Sequence, residues 1–387
     1  MNIGDLDRSA ALSQARKLSK IGGLYVPESV RNFEDLPISG PIEIERISLA
    51  AAQRGGAILM SSGGTTGQPK LCYTPYHQAI DRLLKEWQPL SPQSVLLNLF
   101  NPGRLWGAHY FIQALADASR CTVAPTGPFV SDEASNWIEF LQGIHVNALA
   151  GAPTGLADFA QGALNSVGQL PIESIIWMGE PWTKTKIETV RKAFPSAGFW
   201  CDYGSVETNS IAVNSPGCDL EKYHLLEGQL IETDDQGALL TRIGEGWTVP
   251  IIRYRLGDLI KPTTCRCGRP RALLIEGRAD NAISLCSALL STSKITSLAY
   301  DCTGVEEVQL LLSCRSPDQK SADRITLQFT GNADASKVSK YVQENIHNLA
   351  SVAKQYPQSF NAKKVHQLRR ILRTNKIPQV IWVTDDE

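Results

Sequence analysis

The sequence predicts an α/β protein with a large, multi-subdomain N-terminal region followed by a small α+β unit. Three observations carry this. Short apolar strands alternate with helix-period segments up to about residue 205, strands and turns take over from about Gly228, and beyond about 280 strands and helices mix again. At 387 residues the chain exceeds the size that one hydrophobic core usually serves. The expected division is a large N-terminal domain, 1–279, and a small mobile C-terminal domain, 280–387.

Composition narrows the classes. Hydrophobic residues make up 43% and charged residues 20%, so a packed core is expected rather than disorder. Lys and Arg total 38 against 39 Asp and Glu, a formal net charge of -1 without long single-sign blocks, which argues against a nucleic-acid-binding tail. The N-terminal segment alternates charged and small residues without an apolar run, and the longest apolar stretches fall short of a membrane span, so a cytoplasmic location is expected.

Taken in order, residues 1 to about 50 combine a helix near Asp7 to Ile21 with a Pro-marked, loop-rich segment, VPESVRNFEDLPISG. GGAILM (55–60) reads as a buried strand running into the turn SSGGTTGQPK, and Tyr76 to Trp87 as a helix. SVLLNLF, CTVAP, ALAG and SIIWMG are further strands, separated by helical patterns such as DEASNWIEFLQG and KTKIETVRKAF. In such a sheet ligands sit beyond the C-terminal strand ends, where Gly179-Glu180-Pro181 and Tyr203-Gly204-Ser205-Val206-Glu207 are found. GQLIETDDQGALLTRI has the two alternating runs and central turn of a hairpin, and IIRYRLGDLIKP reads as one strand with a hinge-like glycine. In the last hundred residues VEEVQLLLSC, RITLQFTG and PQVIWVT predict strands, while SKVSKYVQENIHNLA and a stretch near Lys363 to Leu372 predict helices.

Ser61-Ser62-Gly63-Gly64-Thr65-Thr66-Gly67-Gln68-Pro69-Lys70 carries the strongest chemical signal. Glycines permit close backbone approach, hydroxyls donate to phosphate oxygens and Lys70 adds positive charge, so the segment suits a triphosphate. Its spacing fits neither the Walker loop nor the dinucleotide fingerprint, and a solvated linker is the bland alternative. Glu207, after a strand and a glycine turn, can hold magnesium through oxygen, and Asp258, after Gly257, can accept ribose hydroxyls; each is otherwise a turn-capping carboxylate. Tyr203 suits stacking on a base, or packing in the core beside Trp200.

Nine cysteines, odd in number and scattered, make a poor disulfide framework, and reduced thiols are expected. Only Cys265-Arg266-Cys267 has metal-ligand spacing. A closed zinc site would need two more ligands, for which Cys218 and His224 lie upstream; the alternative is a tight turn bracketed by Pro262 and Gly268-Arg269-Pro270.

The loop SGGTTGQPK resembles the phosphate-binding signature of the adenylate-forming superfamily of acyl and aryl coenzyme A ligases, nonribosomal adenylation domains and luciferases. Asp202 to Glu207 resembles its adenine and magnesium motif, Tyr254-Arg255-Leu256-Gly257-Asp258 its ribose motif, and Gly277-Arg278-Ala279-Asp280 its hinge, all in the expected order. Cys265 to Arg269 is similar to an element of the phenylacetate coenzyme A ligase branch. The resemblance implies an adenylate-forming fold that binds ATP and magnesium through Ser62, Gly63, Gly64, Thr65, Thr66, Gly67, Lys70, Gly179, Glu180, Asp202, Tyr203, Gly204, Asp258 and Arg278. It further implies Glu207 as the metal ligand, Thr65, Glu207 and Lys376 as catalytic groups, Trp106, His109 and Tyr110 at the acyl pocket, and Asp280 as the hinge. Helical spacing alone would place Trp106 and Tyr110 on a core face, and Lys376 is otherwise a solvated lysine before the last strand.

The implied reaction joins an aromatic carboxylate to AMP with release of pyrophosphate, for transfer to an amine or thiol. Similarity to the adenylating proteins of phenazine antibiotic biosynthesis points to a phenazine carboxylate such as griseoluteic acid, to D-alanine as the amine and to a pathway partner protein. A complete coenzyme A ligase and a non-catalytic nucleotide or aromatic-acid binder are the alternatives. Three departures bear on this. Val206 replaces the family's threonine, the segment after Asp280 lacks the usual basic residue and glycine turn, and only 60 residues precede the loop, so part of the pocket or coenzyme surface is expected to be missing.

Overall fold

The computed structural model describes residues 2–53, 55–61, 71–129, 131–234, 236–279, 282–285, 288–314 and 321–384. The chain divides into two compact units, one of residues 1–182 and 186–276, the other of 183–185 and 277–387.

The first unit is built on a nine-stranded sheet in the order Asp258–Pro262, Ala272–Arg278, Lys222–Leu225, Asn209–Asn214, Gly198–Ser205, Ser174–Trp177, Ala148–Gly151, Val95–Asn98, Thr122–Pro125. Its last five strands run parallel. The inner three, Ser174–Trp177, Ala148–Gly151 and Val95–Asn98, are almost wholly buried and near-continuously apolar, as strands covered on both faces are, and the connections of the five carry the helices Ala108–Ala118, Ser131–Gly143, Pro153–Ser166 and Lys184–Ala193. The strand Gly198–Ser205 then turns back antiparallel into Asn209–Asn214. A second, four-stranded sheet holds Asn2–Gly4, the hairpin Gln229–Asp234 and Gly237–Arg242, and Ile251–Arg255. The main core runs from the N-terminal helices through one face of the large sheet to this second sheet, and a smaller core around Trp87, Phe100 and Trp106 packs elsewhere in the unit.

Several elements differ from the sequence expectation. The helix Arg8–Lys20 forms as expected, with the Asp7 carboxylate capping the amides of Ser9 and Ala10. Pro41–Ala52 forms a further helix, started by Pro41 and by the Gly40 amide donating to Glu43 Oε2 at 2.9 Å. The strand Ile58–Ser61 pairs antiparallel with Leu71–Thr74, so the Gly- and Thr-rich segment lies between two strands rather than between a strand and a helix. The helix expected over Tyr76 to Trp87 shrinks to Ile80–Leu83 because Gln78 and Ala79 take positive φ, which breaks the helical run before it starts.

IIRYRLGDLIKP is two strands, not one. Ile251–Arg255 joins the four-stranded sheet and Asp258–Pro262 the nine-stranded one, with Gly257 at φ +77° between them. A left-handed glycine lets the chain change sheets within two residues.

The second unit has its own core, centred on Leu310, Leu312, Leu327 and Phe329. A four-stranded sheet, ordered Phe360–Lys364, Arg324–Gly331, Val305–Cys314, Val380–Thr384, lies with the helices Thr292–Tyr300, Ala335–Glu344 and His347–Gln355 and a three-stranded sheet. The helix expected near Lys363 to Leu372 is absent. Phe360–Lys364 is an edge strand, parallel to Arg324–Gly331, and residues 365–379 are irregular. Phe360 is buried while the alternate Asn361 and Lys363 are exposed, a two-residue rhythm that decides for strand. No helix among the described residues is long and apolar enough to cross a membrane.

Candidate functional site

The parallel strands end at Asn98, Pro125, Gly151, Trp177 and Ser205, and residues just beyond two of those ends, Gly151 and Trp177, meet one another. Past Gly151 the chain enters a helix with Pro153 in its first turn, which aims Thr154 at the next strand end. There Glu180 Oε2 accepts the Thr154 hydroxyl at 2.7 Å and its amide at 3.3 Å, with the Lys186 ammonium 3.6 Å away. Glu180 is buried, and Gly179 before it takes φ +86°, the left-handed turn that drops the following carboxylate onto the helix N-terminus. Thr154 and Lys186 were not among the site residues expected from sequence; the position of Thr154, just past a strand end, is the signal that marks it.

The neighbouring strand Gly198–Ser205 supplies the second group. The Tyr203 hydroxyl donates to Asp258 Oδ2 at 2.5 Å, and the Tyr203 ring lies 5.7 Å from that of Tyr223. Tyr203 is half-buried, packed against the main core on one side. Gly204 sits in a bulge where the strand crosses close to Asn209, whose carbonyl oxygen would stand 2.0 Å from any Cβ there. Burial pushes the Asp202 carboxyl up to about 7, against the lowering effect of a hydrogen bond from Ser210. Burial likewise raises the Cys201 thiol and the Tyr223 phenol well above their ordinary values.

Glu207 is buried one turn further on, with Oε1 accepting the Tyr254 hydroxyl at 2.9 Å. The turn that presents it is closed by Ser205 and Thr208. The Thr208 hydroxyl accepts the Ser205 amide at 3.1 Å and the two hydroxyls are 2.9 Å apart. Val206 packs against the main core, so the hydroxyl missing at that position is flanked by two others. Tyr254 and Asp258 both come from the segment that changes sheets, which explains how one short motif serves Glu207 on one side and Tyr203 on the other. Arg253 and Arg255 are structural: Arg253 donates to Glu232 and to the carbonyls of Glu34 and Leu36, and Arg255 pairs with Asp234.

Of the other expected residues, Trp106 is buried edge-on against Phe100, 5.5 Å between centroids, in the smaller core. The buried His109 donates from Nδ1 to the Phe100 carbonyl at 2.8 Å, and Tyr110 is half-buried with its own carbonyl held by the Gln78 amide. Arg278 is exposed at the end of its strand. Lys376 lies in an irregular segment of the second unit, with its carbonyl accepting the Ile371 amide at 2.9 Å and its amide donating to the Thr374 hydroxyl. Ser62, Gly63, Gly64, Thr65, Thr66, Gly67 and Lys70, and Asp280, expected from sequence as the hinge, lie outside the described residues.

The cysteines seen in the structure are free, and the pair Cys265 and Cys267 comes together with the two upstream candidates, Cys218 and His224.

Among curated proteins the chain is similar to the indoleacetate–lysine synthetase of Pseudomonas savastanoi, 24% identical over 204 residues, which is 51% of this chain and 51% of that protein. The chain thus matches about half the length of this relative. Among solved structures it resembles 2-hydroxyisobutyryl-CoA ligase in the postadenylation state with 2-HIB-AMP, at TM-score 0.66 and 16% identity over 97% of this chain and 87% of that one. It also resembles ATP-bound MatB from Rhodopseudomonas palustris, at TM-score 0.56 and 15% identity over 84% and 66%. The anthranilate CoA ligase AuaEII with anthranoyl-AMP superposes at TM-score 0.55 and 16% identity over 82% and 65%. These likenesses are of fold. The AMP-binding enzyme family matches residues 9–239, which contain all five parallel strands together with Glu180, Tyr203 and Glu207, and the chain belongs to that family.

Proposed function

We propose that this protein activates a carboxylic acid with ATP, forming an acyl adenylate and pyrophosphate, and then passes the acyl group to a thiol, as an acyl- or aryl-CoA ligase. The observation that carries the reading is the meeting of Tyr203 with Asp258, and of Glu207 with Tyr254, at the C-terminal ends of the parallel strands. In this reading a carboxylate oxygen attacks the α-phosphorus, the α–β anhydride bond breaks and pyrophosphate leaves. A thiol sulfur then attacks the acyl carbon and AMP departs. A carboxylate is already ionised at neutral pH, so the protein's task is positioning and charge neutralisation rather than proton abstraction.

The chain's residues divide that task. Tyr203 offers a ring face to a base, and its hydroxyl orients Asp258, whose carboxylate suits a pair of ribose hydroxyls. Glu207, with the hydroxyls of Ser205 and Thr208 on the same turn, offers only hard oxygen donors. Magnesium takes one or two carboxylates alongside phosphate oxygens and water, so this donor set fits it. When bound, magnesium would neutralise phosphate charge; Tyr254 keeps the carboxylate that holds it in place. Thr65 and Lys70 are the proposed phosphate contacts and Lys376 the cation for adenylation, on the sequence resemblance.

The acceptor reading rests on relatives. Two of the three structural neighbours above are named as CoA ligases, which favours a thiol. The curated relative, named for joining indoleacetate to lysine, supports an amine instead. A phenazine carboxylate and D-alanine have only the sequence resemblance behind them, and no relative described above is named for a phenazine.

Carboxylate-dependent exchange of labelled pyrophosphate into ATP tests the first step. The acid panel spans short hydroxy acids, anthranilate, indoleacetate and phenazine carboxylates, each with and without magnesium. Exchange with at least one acid is expected, followed by thioester formation with coenzyme A. ATP binding by calorimetry without exchange from any acid would sink the enzyme in favour of a nucleotide-binding protein. Product formed with D-alanine or lysine but not coenzyme A would replace the thiol with an amine.

A further inference from the structure

Cys218, His224, Cys265 and Cys267 are set in three places in the sequence, yet their ligand atoms all lie within 4.8 Å of one another. Cys218 follows the strand Asn209–Asn214, His224 is on the strand Lys222–Leu225, and Cys265 and Cys267 are in the turn between Asp258–Pro262 and Ala272–Arg278. These four strands are neighbours at one edge of the nine-stranded sheet. We infer that these residues form a closed, structural zinc site, with three thiolates and one imidazole as ligands.

The distances suit a tetrahedral ion. With zinc–sulfur bonds of about 2.3 Å and a zinc–nitrogen bond of about 2.0 Å, tetrahedral ligands stand roughly 3.5–3.8 Å apart. Cys218 Sγ is 3.5 Å from Cys267 Sγ, and Cys267 Sγ is 3.2 Å from His224 Nε2. The first separation is far beyond a disulfide bond of about 2.05 Å.

The histidine is held for the role. His224 Nδ1 lies 2.8 Å from the Pro270 carbonyl, which can only accept, so the proton sits on Nδ1 and Nε2 turns its lone pair to the sulfurs. The backbone is arranged likewise. The Gly268 amide donates to the Cys265 carbonyl at 3.0 Å, with Gly268 at φ +73°, closing the turn that puts Cys265 and Cys267 on one side. Arg266, between them, donates to the carbonyls of Gly217 and Cys218, tying the two loops. Metal spacing and tight turn are therefore one feature. Three of the four residues are buried, and Ala272 completes the small apolar cluster around the sulfurs.

Four protein ligands leave no open position for substrate or water, so the ion's role is to fasten the loop after Asn209–Asn214 to the turn after Asp258–Pro262. The latter strand begins with Asp258, so the clamp steadies the sheet edge that carries it. The site is independent of the proposed ligase chemistry and is tested by metal content rather than activity.

The full chain, purified under reducing conditions without added chelator, is expected to contain one zinc per chain by elemental mass spectrometry. Exchange of zinc for cobalt should give the visible absorption of tetrahedral, thiolate-bound cobalt. Removing the ion with a strong chelator should lower the thermal midpoint and expose Cys218, Cys265 and Cys267 to alkylation. Cys267→Ser and Cys218→Ser should each reduce the zinc content severalfold, while Cys121→Ser keeps it. If the variants fail to fold, the cobalt spectrum and alkylation mapping of the wild-type chain decide. Zinc well below one per chain after purification with zinc supplied, octahedral cobalt, or a Cys218–Cys267 disulfide in the reduced preparation would each overturn the inference.

Discussion

The Tyr254 hydroxyl donates to Glu207 Oε1 across 2.9 Å, joining two residues 47 positions apart through a bond buried away from bulk water. Tyr254 is held from behind, where its strand meets Ser39 and where Arg253 grips the carbonyls of Glu34 and Leu36. The N-terminal segment thus braces the residue that braces the carboxylate.

Replacing Tyr254→Phe keeps the ring and removes only the donor. A hydrogen bond to a charged group contributes about 1.5–3 kcal/mol, so pyrophosphate exchange should fall by roughly tenfold to a hundredfold. Half-maximal rate should also require more magnesium. Exchange unchanged at limiting magnesium would mean that Glu207 needs no help from Tyr254.

Asp202 gives a pH signature with a definite sign. Its carboxyl ordinarily titrates at 3.8 and burial raises it to about 7 in the fold, so between these values the native state holds a proton that the unfolded chain has lost. Its contribution to stability is therefore present in full at low pH and declines as pH rises through that window. Asp202→Asn should remove this decline. The urea midpoint of the variant, relative to wild type, should rise from acid pH to neutral; a pH-independent difference would contradict the burial argument.

Gly204→Ala tests the close approach of the two strands. The added Cβ would meet the Asn209 carbonyl oxygen at 2.0 Å and its carbon at 2.7 Å, and both are backbone atoms that move only with the strand. A cost of about 1–3 kcal/mol or more is expected from such overpacking. Because Tyr203 precedes the bulge, nucleotide affinity measured by calorimetry should weaken too. A variant as stable as wild type would show that the bulge relaxes without cost.

In the second unit, buried Gln309 donates to the carbonyls of Arg369 and Pro378 and accepts the Arg369 amide, fixing the irregular stretch that contains Lys376. Gln309→Leu leaves those groups without their partner, at about 1–3 kcal/mol. Amide hydrogen exchange over 369–378 should accelerate. Lys376→Ala should leave that protection intact while abolishing pyrophosphate exchange, and unchanged exchange would refute the catalytic role proposed for the lysine.

The inner parallel strands were legible in the sequence because strands covered on both faces are near-continuous apolar runs, as SVLLNLF, ALAG and SIIWMG are. Glu207 and Asp258 stood out as candidates for a related reason: each follows a glycine turn at the end or start of an apolar run. The stretch Tyr76 to Trp87 was misleading, since its apolar spacing suits a helix and only the left-handed backbone at Gln78 and Ala79 prevents one.

The sequence by itself determined the class of the fold, the order of its motifs and the chemical types at each, because these depend on local periodicity and on residue identity. Tertiary structure alone decided which side chains meet. That Tyr203 reaches Asp258, that Tyr254 rather than a nearer residue serves Glu207, and that Cys218 and His224 join Cys265 and Cys267 all depend on strand order and on the change of sheet at Gly257. Strand order is set by which apolar faces can be buried together, and that is a property of the whole chain rather than of any segment.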